Sequence, residues 1–218
     1  MPTSAPDMAA PRREAHDVDM ADDPEEKSDA KTHARDRAST TEETLFERRT
    51  VLLFGEITTA LAARVSSELL ALAALSPAPI RLLVHSPGGH VEAGDTMFDV
   101  IRFIEPEVHV VGTGWVASAG ALVFVATPRE RRYCLPNTRF MLHQPRGGMQ
   151  GPASDIEIEA RQISQMHRRL IEIFSRATGR TEEEVARDTD RNHWMTAEEA
   201  KAYGLVHRIV SSVRDLPP

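Results

Sequence analysis

From Thr50 onward the apolar positions of the chain alternate between two spacings. Short continuous runs, TVLLFG at 50–55, IRLLVHS at 80–86 and EVHVVGTG at 107–114, predict buried strands. Between them, residues 58–76 are rich in Ala and Leu, and residues 91–104 bring Met97, Val100, Ile101 and Ile104 to one face; both predict helices. ASAGALVFVAT (117–127) predicts a short buried helix, and RRYCL (131–135) and RFMLH (139–143) two further strands. The Gly/Pro-rich stretch QPRGGMQGP then predicts an exposed loop or irregular arm.

A long helix is expected from about Ser154 to Thr178, with an apolar stripe of Ile156, Ile158, Ile163, Met166, Leu170, Ile171 and Phe174. Thr181 to Glu184 and Thr196 to Glu199 both fit the S/T-x-x-E capping box and mark two short helices. Gly204 suits the position after the second helix, and LVHRIV predicts a last strand. Repeated strand–helix units of this length predict an α/β fold with a mainly parallel sheet and right-handed crossovers.

The stretch before residue 44 has another character. Residues 1–43 hold 12 Asp/Glu and 6 Lys/Arg, a net −6 out of the −7 of the whole chain. They include no Leu, Ile, Phe, Tyr or Trp, and Val18 is their one β-branched aliphatic residue. Such a segment cannot bury enough apolar surface to offset its ordering entropy, so a disordered acidic N-terminal tail or propeptide is expected. Residues 44–212 form the expected folded domain and 213–218 a short C-terminal tail.

That folded part is nearly neutral, and no basic patch points to nucleic acid. No apolar run reaches the length of a membrane span, no signal-peptide core opens the chain, and the acidic tail disfavours a transit peptide. The single Cys134 excludes an internal disulfide and fits a reducing cytosol; a buried structural thiol is the expectation. A cytoplasmic location follows. No metal-ligand cluster or phosphate loop stands out, so neither metal nor cofactor is expected.

Three features could carry chemistry. Ser118, in GTGWVASAGALVF, follows a predicted strand and opens a predicted helix, where free backbone N–H groups and the positive dipole end can face an oxyanion. On its own it also reads as a small residue that lets a helix pack closely, and GWVASAG is not the G-x-S-x-G elbow. HSPGGH (85–90) places a Pro-Gly-Gly turn at a strand's C-terminal end, where α/β sheets bind ligands, although by itself it is only a turn. His143, in MLHQP, ends a strand just before the Gly/Pro arm and suits either a general base or a core histidine.

Taken together, SPGG, GWVASAGA, LPNTRFMLHQPRGGMQG, DIEIEAR and RDTDRN…TAEEAKAYGL resemble the proteolytic subunit of the Clp protease, ClpP. The resemblance runs from about Leu45 to Val210. It implies a crotonase/ClpP-like fold with a protruding handle, and a serine peptidase whose heptameric rings stack as a tetradecamer. A AAA+ Clp ATPase such as ClpX or ClpA would thread unfolded protein substrates into that barrel. The mapping implies Ser118 as nucleophile, His143 as general base, and the N–H groups of Gly89 and Ala119 as oxyanion hole. Gly88, Pro145, Gly147 and Gly148 map to the substrate and handle region, and Asp155, Asp190 and Arg191 to ring–ring contacts.

Several positions depart from the family pattern. The third catalytic position, usually Asp, is Asn192. Asn can accept the same imidazole N–H but brings no full negative charge, and in a chymotrypsin-type triad Asp→Asn costs about 10⁴ in rate, largely through the wrong tautomer. Reduced intrinsic activity is therefore expected, and the alternative is a weakly active or structural subunit of mixed rings with an active ClpP paralogue. Asp188 and Asp190 are close enough in sequence to be substitutes. Arg81 and Leu83 stand where aromatic ATPase-docking residues are usual, the apolar pore segment is replaced by the acidic tail, and Pro152 occupies a handle position that is more often polar. A crotonase-type acyl-CoA enzyme would share the fold but would not need the Ser118/His143 pair. A Ser–Lys peptidase has only Lys27, Lys31 and Lys201 to draw on.

Overall fold

The computed structural model describes residues 40–145, 147–148 and 150–217. The chain divides into two units, Met1–Thr41 and Glu42–Pro218. The expected acidic tail lies outside the described residues up to residue 39, and residues 40–47 are helical (α1).

The second unit is built on a seven-stranded sheet. Strands β1 (Thr50–Phe54), β2 (Ile80–Ser86), β3 (Val108–Ala117), β4 (Arg132–Cys134) and β7 (Arg208–Ile209) pair in parallel in the order β1-β2-β3-β4-β7. Helices α2 (Thr59–Leu75) and α3 (Val91–Phe103) make the first two crossovers, as parallel pairing requires. Burial alternates along β2, with Ile80, Leu82, Val84 and Ser86 inaccessible and Arg81, Leu83 and His85 half-buried. One face of β2 therefore packs in the main core, and on its other face Leu83 packs against a smaller buried cluster of Val111, Tyr133 and Val210.

β3 departs most from the expected pattern. It runs to Ala117 instead of ending near Gly114. Its first half pairs with β4, and its second half pairs with β5 (Arg139–Leu142) through Trp115↔Arg139, Val116↔Phe140 and Ala117↔Met141. A bulge against β2 separates the halves, between the Val84↔Gly112 and Ser86↔Val116 pairs. Gly114 adopts φ 57° there, and the Trp115 N–H donates to His85 Nδ1 over 3.1 Å. Glycine is needed because a Cβ at 114 would strike the His85 ring.

The short helix α4 (Ala119–Phe124) starts directly after β3 and is wholly buried. The long helix α5 (Ala153–Thr178) follows the Gly/Pro stretch and ends on Gly179 in the left-handed conformation. Of its expected apolar stripe only Leu170 and Phe174 are buried; Ile156 and Ile158 near its start are exposed. Both capping boxes form, on α6 (Glu182–Thr189) and α7 (Ala197–Tyr203), and Gly204 ends α7 with φ 98°.

Two differences remain. The last strand is shorter than LVHRIV suggests, and a strand absent from the sequence pattern, β6 (His193–Met195), runs antiparallel to β5. Among the described residues no helix is long and apolar enough to cross a membrane.

Candidate active site

Ser118 occupies the N-cap of α4 with φ 54° and ψ −122°, a conformation that L-residues rarely adopt. It is held there from several sides. Its N–H donates to the Met141 carbonyl over 2.9 Å, and its own carbonyl accepts from Ala121 at 2.9 Å and Leu122 at 3.2 Å. The result is a tight strand-to-helix turn that presents the hydroxyl, as in the nucleophile elbow, although the G-x-S-x-G pattern is absent.

Small neighbours make this turn possible. A Cβ at Gly88 (φ 100°) would sit 2.6 Å from the Ser118 Cβ, and one at Gly120 would lie 3.0 Å from the Ser86 Cβ. The packing reading and the nucleophile reading of this stretch thus describe one arrangement.

His143 follows β5 and is half-buried. Its Nε2 lies 2.7 Å from Ser118 Oγ, and its Nδ1 lies 3.2 Å from Asn192 Oδ1. Both contacts fit one tautomer, in which Nδ1–H donates to the amide oxygen while Nε2 accepts the serine proton. The register brings Asn192 there: Leu142 pairs with His193, so the residue after β5 faces the residue before β6. The two side chains meet across 49 positions of sequence because of a three-residue strand.

Asp188 and Asp190 are engaged elsewhere. The Asp188 carboxylate accepts from the Tyr203 hydroxyl at 3.1 Å, and burial together with this carboxylate pushes the Tyr203 phenol up. Asp190 accepts from the Gln144 side chain through its carbonyl at 2.8 Å and its carboxylate at 3.3 Å. Asn192 is the side chain seated against the imidazole.

The SPGG turn lies beside Ser118. Ile57 donates to the Gly88 carbonyl and accepts from the His90 N–H, both at 2.8 Å, and Gly88 N–H donates to Ser86 Oγ at 3.1 Å. The amides flanking Gly89 are committed, and its own N–H has no partner among the described residues. Gly89 has φ 147°, and a Cβ there would collide with the Ile57 backbone. Ala119 is the first residue of α4, where an N–H has no intrahelical partner. These two amides are the donors that the resemblance assigns to an oxyanion.

A small cleft opens next to the serine, lined by Val91, Ala119, Leu122, Leu142, Pro145 and Phe174 among others. Pro145 thus joins the site, whereas Gly147 and Gly148 are exposed on the arm. Asp155, in the first turn of α5, and Asp190 and Arg191 are also exposed. The Arg191 guanidinium lies 3.8 Å from its neighbour Asp190. The sequence pattern marked Leu122, Leu170 and Phe174 only as core, because cleft walls and core use the same residue types.

Cys134 is fully buried on β4, and desolvation, aided by Glu198, pushes its thiol up to about 12. It is inert at neutral pH. Among the described residues no group of His, Cys, Asp and Glu could hold a metal ion.

The chain resembles known proteins over most of its length. Residues 33–213 match the family model described as Clp protease. ATP-dependent Clp protease proteolytic subunit 3 of Rhizobium meliloti is 59% identical over 176 residues, covering 81% of this chain and 90% of its own length. Subunit 2 of Gluconobacter oxydans is 54% identical over 198 residues, covering 90% of this chain and 89% of its own. Among solved structures, ClpP1 from Listeria monocytogenes superposes with a TM-score of 0.74 at 46% identity, over 81% of this chain and 99% of that one. A form of the same ClpP1 with one Asn-to-Asp substitution gives a TM-score of 0.76 at 47% identity, over 80% of this chain and 98% of that one.

Proposed function

Since the chain belongs to the Clp protease family, we propose that it is a serine endopeptidase subunit of a barrel-shaped protease that degrades unfolded proteins delivered by a AAA+ Clp ATPase. The observation that carries the chemistry is the Ser118–His143–Asn192 chain, with contacts of 2.7 and 3.2 Å at a strained turn. Ser118 Oγ attacks the scissile carbonyl carbon as its proton passes to His143 Nε2. The oxyanion accepts from the Gly89 and Ala119 N–H groups. When the tetrahedral adduct collapses, His143 returns the proton to the leaving amine, and an acyl-enzyme remains. Water then attacks the acyl carbon as His143 takes its proton, the bond to Ser118 Oγ breaks, and His143 returns the proton to that oxygen.

Asn192 holds the Nδ1–H tautomer but brings no negative charge to the imidazolium that forms. Basal turnover is accordingly low, and it depends on whatever fixes the His143 ring. Heptameric rings stacked as a tetradecamer are the assembly proposed, with Gly147, Gly148 and the rest of the arm at the ring–ring contact and as an edge for extended substrate. Arg81 and Leu83 make docking of ClpX or ClpA the least supported contact. A cytoplasmic location, a separable acidic N-terminal segment and no cofactor complete the reading.

A fluorophosphonate probe tests it. Wild type will be labelled at Ser118, and Ser118→Ala and His143→Ala will not. The second reading, a structural subunit that completes mixed rings with an active paralogue, is favoured by Asn192 alone. It requires wild-type labelling no greater than that of Ser118→Ala.

A further inference from the structure

β3 reaches Ser118 through its bulge, and the His85 ring fills that bulge. Between the Val84↔Gly112 and Ser86↔Val116 pairs, β2 advances two residues and β3 four. A shift by two keeps every side chain on its own face but resets what lies opposite. Carried on from Val84↔Gly112, the register would set Gly88 against Val116. After the bulge it sets Gly88 level with Ser118, where a Cβ on the glycine would come within 2.6 Å of the serine Cβ. The bulge therefore brings the SPGG turn alongside Ser118.

One imidazole holds the extra residues. His85 Nδ1 accepts from the Trp115 N–H over 3.1 Å, lies 3.2 Å from the Thr113 carbonyl, and occupies the space that a Cβ on Gly114 would need. From the β1 side, Phe54 packs edge-on to the ring, and the His85 carbonyl accepts from the Gly55 N–H at 2.8 Å. An Nδ1 that accepts carries no proton, so the bulge selects the neutral ring with its proton on Nε2. Protonation would leave Nδ1–H only the Thr113 carbonyl to bond and strip the Trp115 amide of its acceptor. The other ionisable side chains of β1, β2, β3 and β5 are Arg81, His109 and Arg139, and Glu56 follows β1; none bonds to the ring.

We propose that His85 is a positioning residue for the peptidase reaction: its unprotonated Nδ1 locks the β3 bulge that holds Ser118 in register with the SPGG turn. This rests on the peptidase reading of Ser118. Bulges beside active sites commonly re-aim a side chain, and here the aim also depends on pH. Acid releases the bulge and with it the alignment of turn and serine.

The test compares wild type, His85→Asn and His85→Leu as assembled particles. Asn places a non-titrating amide oxygen near the Nδ1 position, whereas Leu fills the space without an acceptor. Active sites are counted by fluorophosphonate labelling, and kcat on a short fluorogenic peptide is followed from neutral to acid pH. At neutral pH we expect kcat per labelled site to fall at least about tenfold in His85→Leu, since small misplacements of a nucleophile cost that much, and to be largely kept in His85→Asn. On acidification wild type loses kcat more steeply than one titrating histidine allows, and His85→Asn follows a single-histidine curve. Tryptophan emission reads the bulge independently of turnover, because the chain has two tryptophans, Trp115 in the bulge and Trp194 with its ring centroid 5.8 Å away. On acidification the wild-type emission will pass through a transition that His85→Asn lacks. Full kcat in His85→Leu, equal losses in both variants, or the same emission transition in His85→Asn overturns the proposal alone. If His85→Leu does not assemble, the pH profiles of wild type and His85→Asn decide. Absence of wild-type labelling overturns the peptidase reading and the positioning role with it.

Discussion

At Ser118 one residue meets two demands. A non-glycine residue at φ 54° costs on the order of 1–3 kcal/mol, and the surroundings must over-determine it. They do so through the Met141 carbonyl, the two α4 amides on the Ser118 carbonyl, and glycines that leave room for the turn. Gly88→Ala would force its Cβ to within 2.6 Å of the Ser118 Cβ at a φ of 100°. We expect peptide turnover to fall at least about a hundredfold, because ångström-scale misplacement of a nucleophile costs that much. Circular dichroism will separate the loss from unfolding. The opposite sign is expected at Asn192→Asp. A carboxylate on His143 Nδ1 stabilises the imidazolium, and the chymotrypsin-type precedent bounds the gain at about 10⁴. A rise of tenfold or more in kcat on a short peptide is predicted; an unchanged or lower rate will show that Asn192 does not limit the reaction.

Elements were legible in proportion to their length and the strength of their end signals. The capping boxes at Thr181 and Thr196 located α6 and α7 because a cap is a local chemical event. β2 was readable over its full span because an apolar run meets a Pro-Gly-Gly turn. β6 was not, since three residues cannot show a period and its strand identity comes from pairing with β5. Ser118 and His143, which the fold brings to 2.7 Å, stood out as candidates only through several distant motifs taken together, and the strain at Ser118 lay beyond any local pattern. The α7 cap also gives a measurable expectation. Thr196→Ala removes the acceptor for the Glu199 N–H and will cost about 1 kcal/mol in urea unfolding. The Thr196 N–H, donating to the Glu199 carboxylate over 2.8 Å, holds that carboxyl below its usual range. A depressed carboxyl pKa stabilises the fold above its unfolded value, so this contribution is lost as pH falls through the folded value. Glu199→Gln will flatten that part of the acid unfolding curve.

Ile156 and Ile158 are 44% and 48% exposed at the start of α5. Isolated exposed apolar residues are ordinary, but here they adjoin the arm and the acidic start of a helix with few buried residues. This is the surface that the proposed ring–ring contact would cover, and it includes Asp155. Arg191, 93% exposed beside Asp190, lies one residue before Asn192. A contact drawing Arg191 toward Asp155 of a facing subunit would tighten the segment that carries Asn192, and so couple assembly to the orientation of His143. Charge reversal tests this directly. Arg191→Asp will split double rings, seen by native mass spectrometry, and lower peptide turnover at least about tenfold, while Asp155→Arg will do the same from the other side. The double variant restores the pairing with reversed polarity, and recovery of both assembly and turnover is expected. If each single variant keeps intact double rings and full turnover, the coupling of assembly to His143 runs through other contacts.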